Sequence, residues 1–179
     1  MFSQFNVSSE YLLNPIHLLM LISLVFSLVA YQLKARRSLL IAKMIGDIIF
    51  GVYLIILGGF AGGFSALIAV IGGFVQIMTP DEKLEATAKW RIILAIILSM
   101  IVIAFSVNRQ SDLLPVMAVV YSRFAELASS RQLIALCMFL AGIAWFCYNF
   151  SNGFIYAVIY NVITISSMLI GLYRHRKTT

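Results

Sequence analysis

The sequence predicts an all-α polytopic membrane protein: seven transmembrane helices in a 3+1+3 parallel-repeat bundle, N-terminus outside and C-terminus cytoplasmic. Three observations predict it. The 179-residue chain is 62% hydrophobic and 11% charged, where a soluble domain carries about 25% charged residues; its mean hydropathy is +1.00. The apolar residues fall into segments of roughly 16–21 residues, the length that crosses about 30 Å of hydrocarbon as helix. Membrane strands would be about half as long and would alternate apolar with polar residues. Finally, the basic residues sit at the ends of these segments. The net charge of +6 is therefore a topology signal, and no nucleic-acid partner is expected.

Taken in order, residues 1–15 form an extracytoplasmic segment and 16–78 the first three-helix repeat. Residues 79–107 form a cytoplasmic connection and linker helix, 113–173 the second three-helix repeat, and 174–179 a cytoplasmic tail. Pro15 opens the first helix, where its missing N–H does no harm. Helices are expected at Ile16–Leu33, Ser38–Leu57, Ala61–Met78, Trp90–Val107, Leu113–Ala128, Gln132–Phe150 and Gly153–Tyr173. Gly58-Gly59 and Ser151-Asn152 read as tight turns. Asp81, after Pro80, reads as the cap of a short helix leading into the fourth span.

Orientation follows from the Lys and Arg residues of alternate connections. One side holds Lys34, Arg36 and Arg37, then Lys83, Lys89 and Arg91, then Arg123 and Arg131, then Arg174, Arg176 and Lys177; the other holds only Arg109. The basic side is the cytoplasmic one.

A shift of about 95 residues lays the second span on the sixth. Arg36 falls on Arg131, Leu39 on Ile134, Gly46 on Ala141, Ile48 on Ile143, Phe50 on Trp145 and Tyr53 on Tyr148. After a one-residue gap, Gly59-Phe60 falls on Gly153-Phe154 and Gly72-Gly73 on Ser166-Ser167. Two three-helix units in one orientation need an inverting helix between them, which the fourth span supplies. This layout resembles that of SWEET sugar transporters and their PQ-loop relatives. Their Pro-Gln dipeptide is replaced here by Pro15-Ile16 and Pro115-Val116.

The stretch Asp112-Leu113-Leu114-Pro115-Val116, followed by Ala144-Trp145-Phe146-Cys147-Tyr148-Asn149-Phe150, resembles the YgjV family of bacterial inner-membrane proteins. The turn Gly58–Gly63 with Ser65-Ala66 belongs to the same likeness, which covers Ile16 to Tyr173. Tyr148 stands where the family pattern has His. The resemblance implies a multi-pass protein of the bacterial inner (plasma) membrane; it implies no particular chemistry.

The candidate site residues are polar groups in apolar runs. Lys43 and Asp47, four apart, share a helix face. They read either as a charged element of a polar path, coupling included, or as a self-neutralising pair with Lys43 reaching toward the surface. Trp145, Tyr148 and Asn149 share one face: a ring beside an amide suits a sugar or a base, while an interfacial aromatic belt accounts for the same types. Tyr156, Tyr160, Thr164 and Ser167 form a stripe with Asn161 beside it, facing a wet path or bonding between helices. Gly62, Ala66, Ala69 and Gly73 read as a close-packing seam, within the chain or toward a second copy.

His17 reads as a headgroup contact or a pH sensor. Arg123 and Glu126 read as an ion pair, Glu82 and Glu85 as a solvated face, and Cys137 and Cys147 as small apolar packing residues. No HExxH, GxSxG, phosphate-loop or metal-cluster pattern occurs, so neither catalysis nor a cofactor is expected.

These readings point to a small-solute transporter alternating between two three-helix halves, its site lined by Asp47, Trp145, Tyr148, Asn149 and Asn161. The other reading is a non-transporting accessory or signalling protein acting through helix contacts.

Overall fold

A computed structural model describes residues 14–30, 33, 35–125 and 131–176. Among these described residues seven α-helices follow one another: α1 His17–Ala30, α2 Arg36–Ile56, α3 Phe60–Met78, α4 Leu84–Ser106, α5 Leu113–Phe124, α6 Arg131–Ser151 and α7 Ile155–Arg176. Short 3₁₀ turns, Asp81–Lys83 and Gln110–Asp112, precede α4 and α5. No strand occurs among the described residues.

By length and apolarity, 37–56, 60–78 and 81–106 each suffice to cross a bilayer, and His17–Ala30, Leu136–Ser151 and Ile155–Ser167 are shorter apolar helices. The described part of α5 has 12 residues and rises about 18 Å; the expected end of this span, at Ala128, lies outside the described residues. The fourth helix begins six residues before the expected Trp90. Asp81 lies in the 3₁₀ turn, and neither that turn nor α4 has a side-chain cap. The short capped helix expected there is instead the first turns of α4 itself.

Local chemistry sets the helix ends. Asn14 Oδ1 accepts the Ile16 N–H at 3.1 Å, capping the turn that Pro15 opens. Asp112 Oδ2 accepts the N–H groups of Asn108 and Arg109, both at 2.9 Å, and folds the entry to α5. The ends of α2 and α6 are built alike. Gly58 and Gly153 have φ of 81° and 73°. Gly59 N–H reaches Leu54 C=O at 2.8 Å and Phe154 N–H reaches Asn149 C=O at 2.9 Å, with Gly58 to Ile55 and Gly153 to Phe150 one step inside. This is the bond pair of a left-handed glycine stop. Gly58 thus matches Gly153 and Gly59 matches Phe154, so the one-residue gap expected before Gly59 does not fall at this turn. Phe60 is 51% exposed and Phe154 8%; the two are not counterparts.

Six helices close a ring: α1 on α2, α2 on α3, α3 on α5, α5 on α6, α6 on α7, and α7 back on α1. Helix α4 stands outside it, against α3 and α5. Serine and glycine allow the close approaches. Ser23 Oγ donates to Gly46 C=O at 2.9 Å between α1 and α2, and a Cβ on Gly51 would lie 3.1 Å from Gly63 C=O between α2 and α3. The core inside the ring is Met20, Phe50, Tyr53, Leu54, Ala66, Tyr148, Phe154 and Ala157, flanked by Trp145, Tyr156 and Tyr160.

Candidate functional site

The polar side chains inside the ring occupy two levels. The first lies toward the glycine-turn end. There Tyr53, Tyr148 and Asn149 have no exposed surface, and His17 and Asn161 are 3% and 4% exposed. Asn149 Nδ2 donates to Asn161 Oδ1 at 2.7 Å, joining α6 to α7. Asn149 Oδ1 is buried with no hydrogen-bond partner among the described residues. Such an acceptor costs free energy until a donor meets it. Tyr148 accepts the Gly62 N–H at 3.2 Å. Trp145 sets its ring edgewise to Phe50 of α2, centroids 5.3 Å apart, and edgewise to Tyr148 at 6.2 Å.

On the expected face Trp145-Tyr148-Asn149, Tyr148 and Asn149 are buried and Trp145 is half-buried, and the face is shared among three neighbours: Trp145 meets α2, Tyr148 meets α3 and Asn149 meets α7. For Tyr148 and Asn149, complete burial removes the interfacial-belt alternative.

The second level is the ion pair. Lys43 Nζ donates to Asp47 Oδ1 and Oδ2 at 3.0 and 2.8 Å. Asp47 lies seven residues before Leu54, whose Cδ1 shares the environment of Gly62 with Tyr148. At 1.5 Å per residue that is about 10 Å along the axis. Asp47 and Asn149 thus stand at different heights and do not form one cluster.

Several residues lie elsewhere than the sequence suggested. His17 is no headgroup contact: its Nδ1 is 3.0 Å from Tyr53 Oη, and its ring stacks on Tyr156 at 4.1 Å and 18°. The stripe on α7 divides. Tyr160 bonds Ser27 of α1 at 2.8 Å and stacks on Phe50; Thr164 donates to the carbonyls of Tyr160 and Asn161; Ser167 is exposed.

The small-residue seam also divides. A Cβ on Gly73 would meet Met44 of α2 at 2.8 Å, one on Gly51 of α2 would meet Ala66 at 3.3 Å, and one on Gly62 would meet Tyr148 of α6 at 2.4 Å. Gly62, Ala66 and Gly73 are buried and Ala69 half-buried, so the chain itself covers this seam and no second copy is needed to fill it. Arg123 is buried with its guanidinium over Gly72; Glu126, its expected partner, lies outside the described residues, as do Lys34, Lys177 and residues 1–13. Cys147 is exposed and Cys137 half-buried.

Sequence reasoning missed the His17–Tyr53–Tyr156 group and the pairing of Tyr160 with Ser27. A signal was present: His17, Ser23 and Ser27 recur on one side of an apolar helix, a polar stripe that should face protein rather than lipid. An open cleft of about 410 Å³ lies at the basic end, lined by Ala35, Arg37, Ile77, Thr79, Pro80 and Asp81. None of the candidate residues borders it, and no group of three or more His, Cys, Asp or Glu suited to a metal occurs among the described residues.

Comparison with curated proteins and with solved structures gives no match. A family model described as a bacterial inner membrane protein, Imp-YgjV, matches residues 15–179. That match spans every described helix and carries the compartment with it: the chain belongs to the Imp-YgjV family and is a multi-pass protein of the bacterial inner membrane.

Proposed function

We propose that this protein moves a small polar solute across the inner membrane by alternating access between two three-helix halves, α1–α3 and α5–α7, with α4 as the inverting link. The observation that carries the reading is a gradient along one face of α2. Residues 43, 47, 50 and 54 follow a helical stripe that includes the core residues Phe50 and Leu54. Leu54 is fully buried, Phe50 6% exposed, the Asp47 side chain 15% and the Lys43 side chain 41%. The stripe is sealed at the glycine-turn end and opens toward the basic end. With the basic end in the cytoplasm, this is the profile of a path shut outside and open inside.

Pseudo-symmetry supports two rocking halves. Positions 95 apart play like parts: Tyr53 and Tyr148 are both fully buried, as are Met20 and Pro115. Ser23 packs on Gly46 as Ala118 clusters with Ala141. Phe50 and Trp145, counterparts in this register, meet each other between the halves. Halves that meet through side chains such as these are suited to rigid-body movement. Asn149 and Asn161 supply hydrogen-bonding capacity at the sealed level, and Lys43 and Asp47 supply charge at the open one. No catalytic role is assigned.

Flux tests the reading. The protein in liposomes is offered labelled sugars, nucleobases and amino acids. Uptake above empty vesicles for at least one solute is expected, with at least tenfold loss in Asn149→Ala and Asp47→Asn. Uptake equal to empty vesicles for every solute overturns it.

A further inference from the structure

Asn149 Oδ1 of α6 and Ser65 Oγ of α3 are buried atoms that meet no hydrogen-bond partner among the described residues, and they come from opposite halves. Neither residue has exposed surface. Both stand near the sealed level. Asn149 follows Tyr148, whose hydroxyl bonds the Gly62 N–H, and Ser65 is three residues past Gly62, about 4.5 Å along α3. Positions 62, 65, 69 and 72 run down one side of that helix. The two glycines of this stripe face the second half: a Cβ on Gly62 would meet Tyr148 of α6, and one on Gly72 would meet Arg123 of α5. Ser65 lies between them, so it faces the second half as well.

We propose that Asn149 and Ser65 are a recognition pair for an uncharged solute, held through the solute's own N–H or O–H groups. The Asn149 amide donates to Asn161 Oδ1, and its open valence is an acceptor, which only a donor satisfies. A serine hydroxyl both donates and accepts. A charge does not suit this level. Tyr53, Trp145, Tyr148 and Asn161 are uncharged near neutral pH. The Asp47 carboxylate is bonded by Lys43 and stands about 10 Å away along α2. The Arg123 guanidinium lies over Gly72, seven residues and about 10 Å beyond Ser65. An ion at the sealed level would be buried far from either, which is costly.

An unmet acceptor and an unmet hydroxyl weaken the empty protein, and a bound solute restores what they lose. Groups that only hold helices together show the opposite: removing them weakens the fold, and no solute compensates.

Melting of the full chain in detergent at about pH 8, above the usual imidazole range, tests the pair. Without solute, Ser65→Ala and the double variant Asn149→Leu, Asn161→Leu should melt no lower than the parent, because each removes unmet groups. Glucose, glycerol and uracil are the uncharged probes, and glutamate and lysine the charged ones. At least one uncharged probe should raise the melting temperature of the parent by about 2–4 °C. The charged probes should not, and each variant should lose at least half of the rise. A lower melting temperature of Ser65→Ala without solute, no rise with any uncharged probe, an equal rise with the charged ones, or a rise that survives in both variants overturns the proposal. Should the double variant fail to fold, Ser65→Ala carries the same outcomes by itself. The place of the pair on a path rests on the transport reading, and the two fail separately. A rise without flux of any solute removes transport and leaves the binding site. Flux of glutamate or lysine with no rise from an uncharged probe keeps transport and removes the pair.

Discussion

The Tyr148 hydroxyl accepts the backbone N–H of Gly62 at 3.2 Å, so a side chain of α6 caps the N-terminus of α3. Gly62 is the third residue of α3, where N–H groups lack an intrahelical partner. Tyr148→Phe leaves that buried donor unsatisfied and should cost about 1–3 kcal/mol, read as a lower melting temperature in detergent. An unchanged melting curve would mean that water caps α3 instead.

Gly62 itself is fixed by the same ring. A Cβ there would lie 2.4 Å from Tyr148 Cε1 and 2.9 Å from Leu54 Cδ1. Gly62→Ala should therefore destabilise by about 1–3 kcal/mol through overpacking. Adding Tyr148→Leu makes room, so the double variant should lose less than the sum of the singles. Strict additivity of the melting shifts would count against the contact.

Gly58 isolates backbone strain. Its φ is 81°, and a Cβ would meet nothing within 4 Å. Gly58→Ala should cost about 1–2 kcal/mol from the left-handed backbone alone, and Gly58→Asn less. Thermal unfolding of the two variants side by side checks the order.

The pair Lys43–Asp47 separates a structural role from a transport role. Lys43→Met leaves the Asp47 carboxylate without its two bonds and should lower both yield and melting temperature. The exchange Lys43→Asp with Asp47→Lys should recover the melting temperature. If Asp47 serves the path, flux stays lost in the exchange; if flux also recovers, the pair only holds α2.

The Asn149–Asn161 bond joins α6 to α7 at 2.7 Å. A cycle of Asn149→Ala, Asn161→Ala and the double variant should give a coupling of about 0.6 kcal/mol, up to about 1.7, by equilibrium unfolding. Zero coupling would show that the amides do not bond in the membrane.

Much of this fold was legible because hydropathy and helix spacing are local. Lys43 and Asp47 bond because four residues bring side chains to one face. Gly58 ends α2 near the residue where the apolar run meets a glycine pair. The limits of that reading are also physical. The start of α4 was set too late because Glu85 and Lys89 read as loop although they sit well on a helix.

The sequence by itself determined the class of the protein, the order of its helices and the sites of its turns, all of which rest on runs of residues and on the cost of polar backbone in lipid. The tertiary structure alone decided which faces meet. It buried His17 between Tyr53 and Tyr156, divided the glycine seam between α2 and α6, set Asp47 and Asn149 at separate heights and closed six helices into a ring. The reason is that a membrane helix is apolar toward lipid and toward protein alike. Hydropathy says that a segment is inside the bilayer, and only long-range packing of side chains says which way it turns.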